Sequence, residues 1–130
     1  MAELSMKKKI LIVDDEAFIR LLLEQTLEDL EEQGVDLLTV DNGADALSLI
    51  RDEKPQLVFL DVMLPRMNGF DVCRAVRREL NEPDTYIVLL TAKGQEYDRQ
   101  IGEEAGANIY MTKPFDPDEL LALAKSVLGV

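Results

Sequence analysis

The sequence predicts an α/β domain built on a parallel sheet with helices on both faces, and two observations carry that prediction. Five short apolar runs recur along the 130 residues, each followed by a segment with helical periodicity. Parallel strands joined by crossover helices require that alternation. The runs are also close to continuously apolar, as strands covered on both faces are, instead of alternating with polar residues. No repeat, low-complexity segment or linker separates the units, so residues 1–130 are expected to form a single domain with a core large enough to need no disulfide or metal staple.

The runs are Lys9 to Val13 (KILIV), Val35 to Val40, Leu57 to Leu60 (LVFL), Tyr86 to Leu90 (YIVLL) and Asn108 to Met111 (NIYM), the second being the least apolar. After the first, Ile19, Leu22, Leu23, Leu27 and Leu30 fall on one helical stripe, with Glu24, Gln25, Glu28 and Glu31 facing away and Gly34 ending the helix. Asp41-Asn42-Gly43 is a turn and cap signal for a second helix that buries Ala46, Leu47 and Ile50 before Pro55. A third, from Gly69 to Leu80, turns Val72, Cys73, Val76 and Leu80 inward, which makes Cys73 a small buried hydrophobe. The fourth, about Gln95 to Ala105, has only Tyr97, Ile101 and Ala105 as a stripe. Gly102 costs it about 1 kcal/mol relative to alanine, so motion is expected there. The fifth, from Pro117 to Leu128, buries Leu120, Leu123, Ala124, Val127 and Leu128 and carries Asp116, Asp118 and Glu119 at the end where the helix dipole favours them. Only Gly129 and Val130 follow, and no output domain is expected in this chain.

Composition excludes several function classes. Fourteen basic against twenty-six acidic residues give a formal charge of −12, which repels phosphate backbones and anionic membranes. Direct contact with nucleic acid or membrane is not expected. The absence of histidine removes imidazole catalysis and histidine metal sites, and a single cysteine removes internal disulfides and suits a reducing compartment. Ile10 to Val13 is too short for a signal-peptide core, and a cytoplasmic protein is expected.

In an open parallel sheet, binding groups gather at the carboxyl ends of the strands. There the sequence places Asp14, Asp15 and Glu16 after the first run, Asp61 after the third, Thr91 after the fourth, and Thr112, Lys113 and Pro114 after the fifth. Taken singly, each has a plainer role: Asp14 as a helix cap, Asp61 as a turn residue, Thr91 as a β-former and Lys113-Pro114 as a loop. Together, in that order, they describe chemistry. Gathered carboxylates repel unless a cation intervenes, and hard oxygen donors suit Mg²⁺. A carboxylate nucleophile flanked by Mg²⁺, an ammonium and a hydroxyl is equipped to take a phosphoryl group.

The motifs ILIVDDE, LVFLDVMLPRMNGF, VLLTAK and YMTKPF, in this order from Lys8 to about Leu128, resemble the receiver domain of two-component response regulators. The resemblance implies a flavodoxin-like (βα)5 fold with strand order 2-1-3-4-5. It implies that Asp61 is the phosphoacceptor, that Asp15 ligates Mg²⁺ (or Mn²⁺) directly and Asp14 through water, and that Met63 lends its backbone carbonyl to the metal. Thr91 would bond a phosphoryl oxygen beside the small Ala92, Lys113 would pair with Asp61 or its phosphoryl group, and the Lys113-Pro114 bond would be cis. Thr91 and Tyr110 would form the switch, read out on the face of helix four, strand five and helix five by an output domain or partner protein. The phosphoryl donor would be a histidine kinase or histidine phosphotransfer protein. Met63 and Lys93, two positions after the acceptor and the threonine, imply slow self-dephosphorylation. The fifth helix, DELLALAKSVL, lacks the arginines that members related to transcription factors use to pair across that face, and Asn108 and Ile109 stand where two acids are frequent.

Three other readings compete. A dehalogenase-type phosphohydrolase needs its nucleophile on the first strand in an Asp-x-Asp arrangement. A flavin mononucleotide binder needs a hydroxyl-rich first loop where this chain has DDEAF. A pseudo-receiver would be a binding module that has lost phosphorylation.

Overall fold

The computed structural model describes residues 7–92 and 98–130. The strands β1 (Lys9–Val13), β2 (Asp36–Val40), β3 (Leu57–Asp61), β4 (Tyr86–Ala92) and β5 (Ile109–Lys113) form one sheet in the order β2-β1-β3-β4-β5, with every neighbouring pair parallel. They alternate with α1 (Ala17–Glu31), α2 (Gly43–Glu53), α3 (Gly69–Arg78), α4 (Asp98–Ala105) and α5 (Pro117–Leu128). This is the flavodoxin-like order expected.

Side-chain alternation along the strands splits the core into two layers. Ile10, Ile12, Leu57, Phe59, Val88 and Leu90 pack with Leu23, Leu27 and Leu30 of α1 and Leu120 and Ala124 of α5. Leu11, Val13, Val58, Leu60, Ile87 and Leu89 pack on the other face with Ala46 and Ile50 of α2, Val72, Cys73 and Val76 of α3, and Ala105 of α4. Both faces of β3 are therefore buried along its whole length, which is why its sequence reads as an unbroken apolar run.

The helix starts follow local chemistry. Asn42 accepts a hydrogen bond from Asp45 N (2.8 Å) and Asn68 one from Asp71 N (3.0 Å), so each caps the helix that follows. Asp116 accepts from Asp118 N (2.9 Å) ahead of Pro117, the first residue of α5.

Several boundaries differ from expectation. β3, β4 and β5 run further toward the site, taking in Asp61, Thr91 with Ala92, and Thr112 with Lys113. Ladder pairing continues through these polar residues because Asp61 pairs with Leu90, and Thr91 and Ala92 with Thr112 and Lys113. β2 and β5 each begin one residue later than the apolar run, and α3 ends at Arg78. Gln95, Tyr97 and Lys93 lie outside the described residues. Within α4, Ile101 is half-buried and Ala105 buried, as the stripe requires.

Candidate functional site

The sheet order reverses between β1 and β3, and the crevice at that point opens at their carboxyl ends. Val13 pairs with Leu60, so the next residue of each strand, Asp14 and Asp61, is delivered to this edge side by side. Gly69 makes the delivery possible on the β3 side. A Cβ there would lie 2.5 Å from the Asp61 carbonyl oxygen and 2.9 Å from Val62 Cα, so only glycine lets α3 begin against the end of β3.

Asp14 and Asp61 are almost fully buried, at 0% and 2% exposure. Lys113 Nζ sits between them, 3.1 Å from Asp14 Oδ2 and 3.4 Å from Asp61 Oδ1, with Glu16 Oε1 at 4.0 Å. The bond preceding Pro114 is cis, as the resemblance implied. Backbone amides also donate to both carboxylates: Glu16 N to Asp14 Oδ1 (2.9 Å), the oxygen Lys113 does not face, and Met63 N to Asp61 Oδ1 (3.2 Å), the oxygen Lys113 does face. The Asp14 oxygen is thus partly used in a local turn, but α1 itself has Glu16 as its cap residue and no side-chain cap bond.

Among the described residues the charges do not balance: carboxylate oxygens of Asp14, Asp15 and Asp61 lie within 4.8 Å of one another, and one described ammonium, that of Lys113, faces them. Burial pushes the Asp61 carboxyl above its ordinary range, and the charge of Asp14 adds to that, with Lys113 and the Met63 amide pulling the other way. Burial works against the Lys113 ammonium, yet Asp61 and Asp14 outweigh it and its pKa is raised. An oxygen-only donor set with surplus negative charge fits a hard divalent cation such as Mg²⁺ or Mn²⁺. Asp14, Asp15 and Asp61 are the residues able to hold it.

An open cleft of about 530 Å³ leads to these groups, lined by Asp15, Glu16, Ile19, Asp61, Met63, Ala92, Lys113 and Pro114. Met63 is 61% exposed at its rim. Ala92 lines the cleft, while Thr91, the residue before it, is fully buried. Tyr110 lies elsewhere. It packs with the α2, α3 and α4 layer, pairs in register with Leu89, and borders a second groove of about 220 Å³ with Arg99, Gly102 and Glu103. Alternation along β4 carries Thr91 onto that same face.

Sequence reasoning placed Glu16 at this edge but missed the roles of Arg20 and Asn108. Arg20 Nη1 donates to the Asp14 carbonyl (2.7 Å), fixing the backbone beside the carboxylates. Its place four residues after Glu16, on the turn of helix next to the site, was the available signal. Glu16 reaches the site mouth. Asn108 accepts from both Arg77 Nη2 and Ile87 N at 2.8 Å. Its value is therefore as a neutral double acceptor just before β5, which a comparison with acidic residues does not suggest.

The family model for the response regulator receiver domain matches residues 10–125. The chain is 47% identical over 124 residues to the alkaline phosphatase synthesis transcriptional regulatory protein PhoP of Bacillus subtilis, covering 95% of this chain and 49% of PhoP. It thus spans about half the length of the curated relatives it matches. Among solved structures, the Vibrio cholerae chemotaxis protein CheY4 superposes with a TM-score of 0.81 at 32% identity, covering 93% of this chain and 98% of that one. The receiver domain of NtrX from Brucella abortus gives 0.80 at 31% identity, covering 93% and 98%.

Proposed function

The chain belongs to the response regulator receiver family of two-component signalling, and on that premise we propose that Asp61 accepts a phosphoryl group from a phosphohistidine of a histidine kinase or phosphotransfer protein. The observation that carries this reading is Lys113 Nζ held between buried Asp14 and Asp61, at 3.1 and 3.4 Å. A nucleophilic carboxylate, a fixed ammonium and a cation-ready acidic cluster meet at one cleft.

In the step proposed, an Asp61 carboxylate oxygen attacks phosphorus, the phosphorus–nitrogen bond to the donor imidazole breaks, and the leaving nitrogen keeps the electron pair. Bound Mg²⁺ supplies charge neutralisation for the phosphoryl oxygens. Asp14, Asp15 and Asp61 would hold it, with the Met63 carbonyl as a backbone ligand. Lys113 neutralises one phosphoryl oxygen from the β5 side, and the Thr91 hydroxyl donates to another beside the small Ala92. The chain acts as a signalling phosphoacceptor that promotes its own modification, with a slow return by hydrolysis.

The phosphoryl group adds charge and acceptor oxygens where a single carboxylate stood. Thr91 moving toward it, with Tyr110 following on the same face, would change the surface of α4, β5 and α5. That surface would control an output module. The relatives' names are those of transcriptional regulators, so the output of the whole protein is proposed to be DNA binding by a separate module. The acidic receiver, at −12, is itself unsuited to DNA. No helix among the described residues is long and apolar enough to cross a membrane, and a cytoplasmic location is proposed.

Thermal unfolding with Mg²⁺ and beryllofluoride, a mimic of the phosphoryl group on aspartate, tests the site. The midpoint should rise with both present, and by more than the sum of the separate effects. Asp61→Ala should abolish that rise, and a rise that survives the substitution would overturn the assignment.

A further inference from the structure

The groove beside Tyr110 contains a contact that the phosphoryl chemistry does not use. Arg99, exposed near the start of α4, places its guanidinium carbon 5.2 Å from the centroid of the Tyr110 ring, within range for a cation–π attraction. The ring also lies close to the helix itself. A Cβ at Gly102 would come to 3.3 Å from Tyr110 Cδ2 and 3.0 Å from Leu89 Cδ1. The glycine that weakens α4 is therefore what lets the helix backbone close over β4 and β5.

The other end of α4 is attached differently. Arg77 of α3 donates through Nε to the Gly106 carbonyl (2.9 Å), through Nη1 to the Glu82 carbonyl (2.8 Å) and through Nη2 to Asn108 Oδ1 (2.8 Å). Gly106, at φ +102°, has no room for a Cβ, which would lie 2.7 Å from Arg77 Cγ. The turn leaving α4 is thus tied to α3 by directional hydrogen bonds. Near its start, the helix brings the exposed Arg99 guanidinium over the Tyr110 ring.

We infer that Arg99 is a positioning residue that latches Tyr110 in its resting place, with α4 pivoting about the end that Arg77 fixes. The inference rests on the proposed role of Tyr110 in switching and names the residue that sets the balance of the switch. A contact made in the resting arrangement and lost in the activated one opposes activation by its own strength. A surface cation–π pair then shifts the equilibrium by about two- to fivefold.

The chain has three tyrosines, so ¹⁹F NMR of the protein labelled with 3-fluorotyrosine resolves the position, with Tyr110→Phe giving the assignment. In the wild type the Tyr110 resonance should move when Mg²⁺ and beryllofluoride are added. In Arg99→Ala and Arg99→Gln it should already lie part of the way toward the activated position, and half-saturation should need about two- to fivefold less beryllofluoride. Arg99→Lys, which keeps a cation over the ring, should restore the wild-type shift and affinity. An unmoved resonance and unchanged affinity in both neutral variants would overturn the latch, as would a lysine variant that behaves like the neutral ones. A wild-type resonance that stays fixed while beryllofluoride demonstrably binds would overturn the switch role of Tyr110 and the latch with it. Absence of beryllofluoride binding altogether would instead mark failure of the phosphoacceptor reading and remove the state against which the latch acts.

Discussion

Lys113 reaches from β5 to within 3.4 Å of the Asp61 carboxylate on β3, although β4 lies between their strands in the sheet. The crossing is possible because the residue that pairs with Lys113 on β4 is Ala92, whose methyl group leaves the strand end low. The ammonium stabilises the carboxylate it faces, but burial and Asp14 push the other way and prevail, so the Asp61 pKa is raised. The site is held together at a cost to the fold.

That cost has a direction in pH. A carboxyl whose folded pKa exceeds its unfolded value of 3.8 binds its proton more tightly in the native state. Its contribution to stability therefore declines as pH rises from 3.8 through the folded value, and above that the ionised group is a standing penalty. Lys113 behaves oppositely, its stabilisation being complete below its ordinary 10.5 and lost as pH rises through its raised folded value. In chelator at pH 7, Asp61→Asn should be about 0.5–2 kcal/mol more stable than wild type by urea titration. The gain should vanish below pH 3.8, and a variant no more stable than wild type at neutral pH would contradict the electrostatic account.

Gly69 supports the site through close approach, not through backbone strain. A methyl group there collides with the Asp61 carbonyl at 2.5 Å, so Gly69→Ala should cost about 1–3 kcal/mol and displace Asp61 from Lys113. Chemical denaturation reads the first effect and the rate of labelling by acetyl phosphate the second. Wild-type values for both would mean that α3 can shift without cost.

The lifetime of a phosphoryl group on Asp61 should depend on Met63, which is 61% exposed at the cleft rim and offers no side-chain group to orient water. Met63→Asn places an amide there and should hasten dephosphorylation several-fold, measured as loss of label after removal of the donor. An unchanged lifetime would count against Met63 as the determinant.

Cys73 should be silent in the folded protein. It is fully buried in the layer under α2 and α3, and burial pushes its thiol up to about 11. At pH 8 an aromatic disulfide reagent should react only after denaturant is added. Rapid labelling of the native protein would show that α3 opens locally.

The parts of the fold that were legible in the sequence are those where one force dominates. Leu57 to Leu60 must be buried on both faces, so periodicity identified β3 directly. Asn42 and Asp116 carry the cap chemistry that begins α2 and α5. The convergence of Asp14, Asp61 and Lys113 was legible from their positions at strand ends, because sheet topology brings such ends to one edge. Strand ends were harder to place, since ladder pairing carried β3 to β5 into polar residues that hydrophobicity does not mark. Least visible were contacts between residues distant in sequence that no pattern announces. Arg77 meets Asn108 across 31 positions, and Arg99 meets Tyr110 across two elements. Both depend on how α3 and α4 lie on the sheet, which a single chain of letters does not encode locally.

The central claim is that Asp61 takes a phosphoryl group with a divalent cation. Intact-protein and peptide mass spectrometry after incubation with acetyl phosphate tests it directly, with Mg²⁺ or chelator, on wild type and Asp61→Ala. The account predicts a single acid-stable, base-labile phosphoryl group on the peptide containing Asp61, formed only with Mg²⁺ and absent from the variant. Labelling that persists in Asp61→Ala, or no labelling of the folded wild type with Mg²⁺ present, would contradict it.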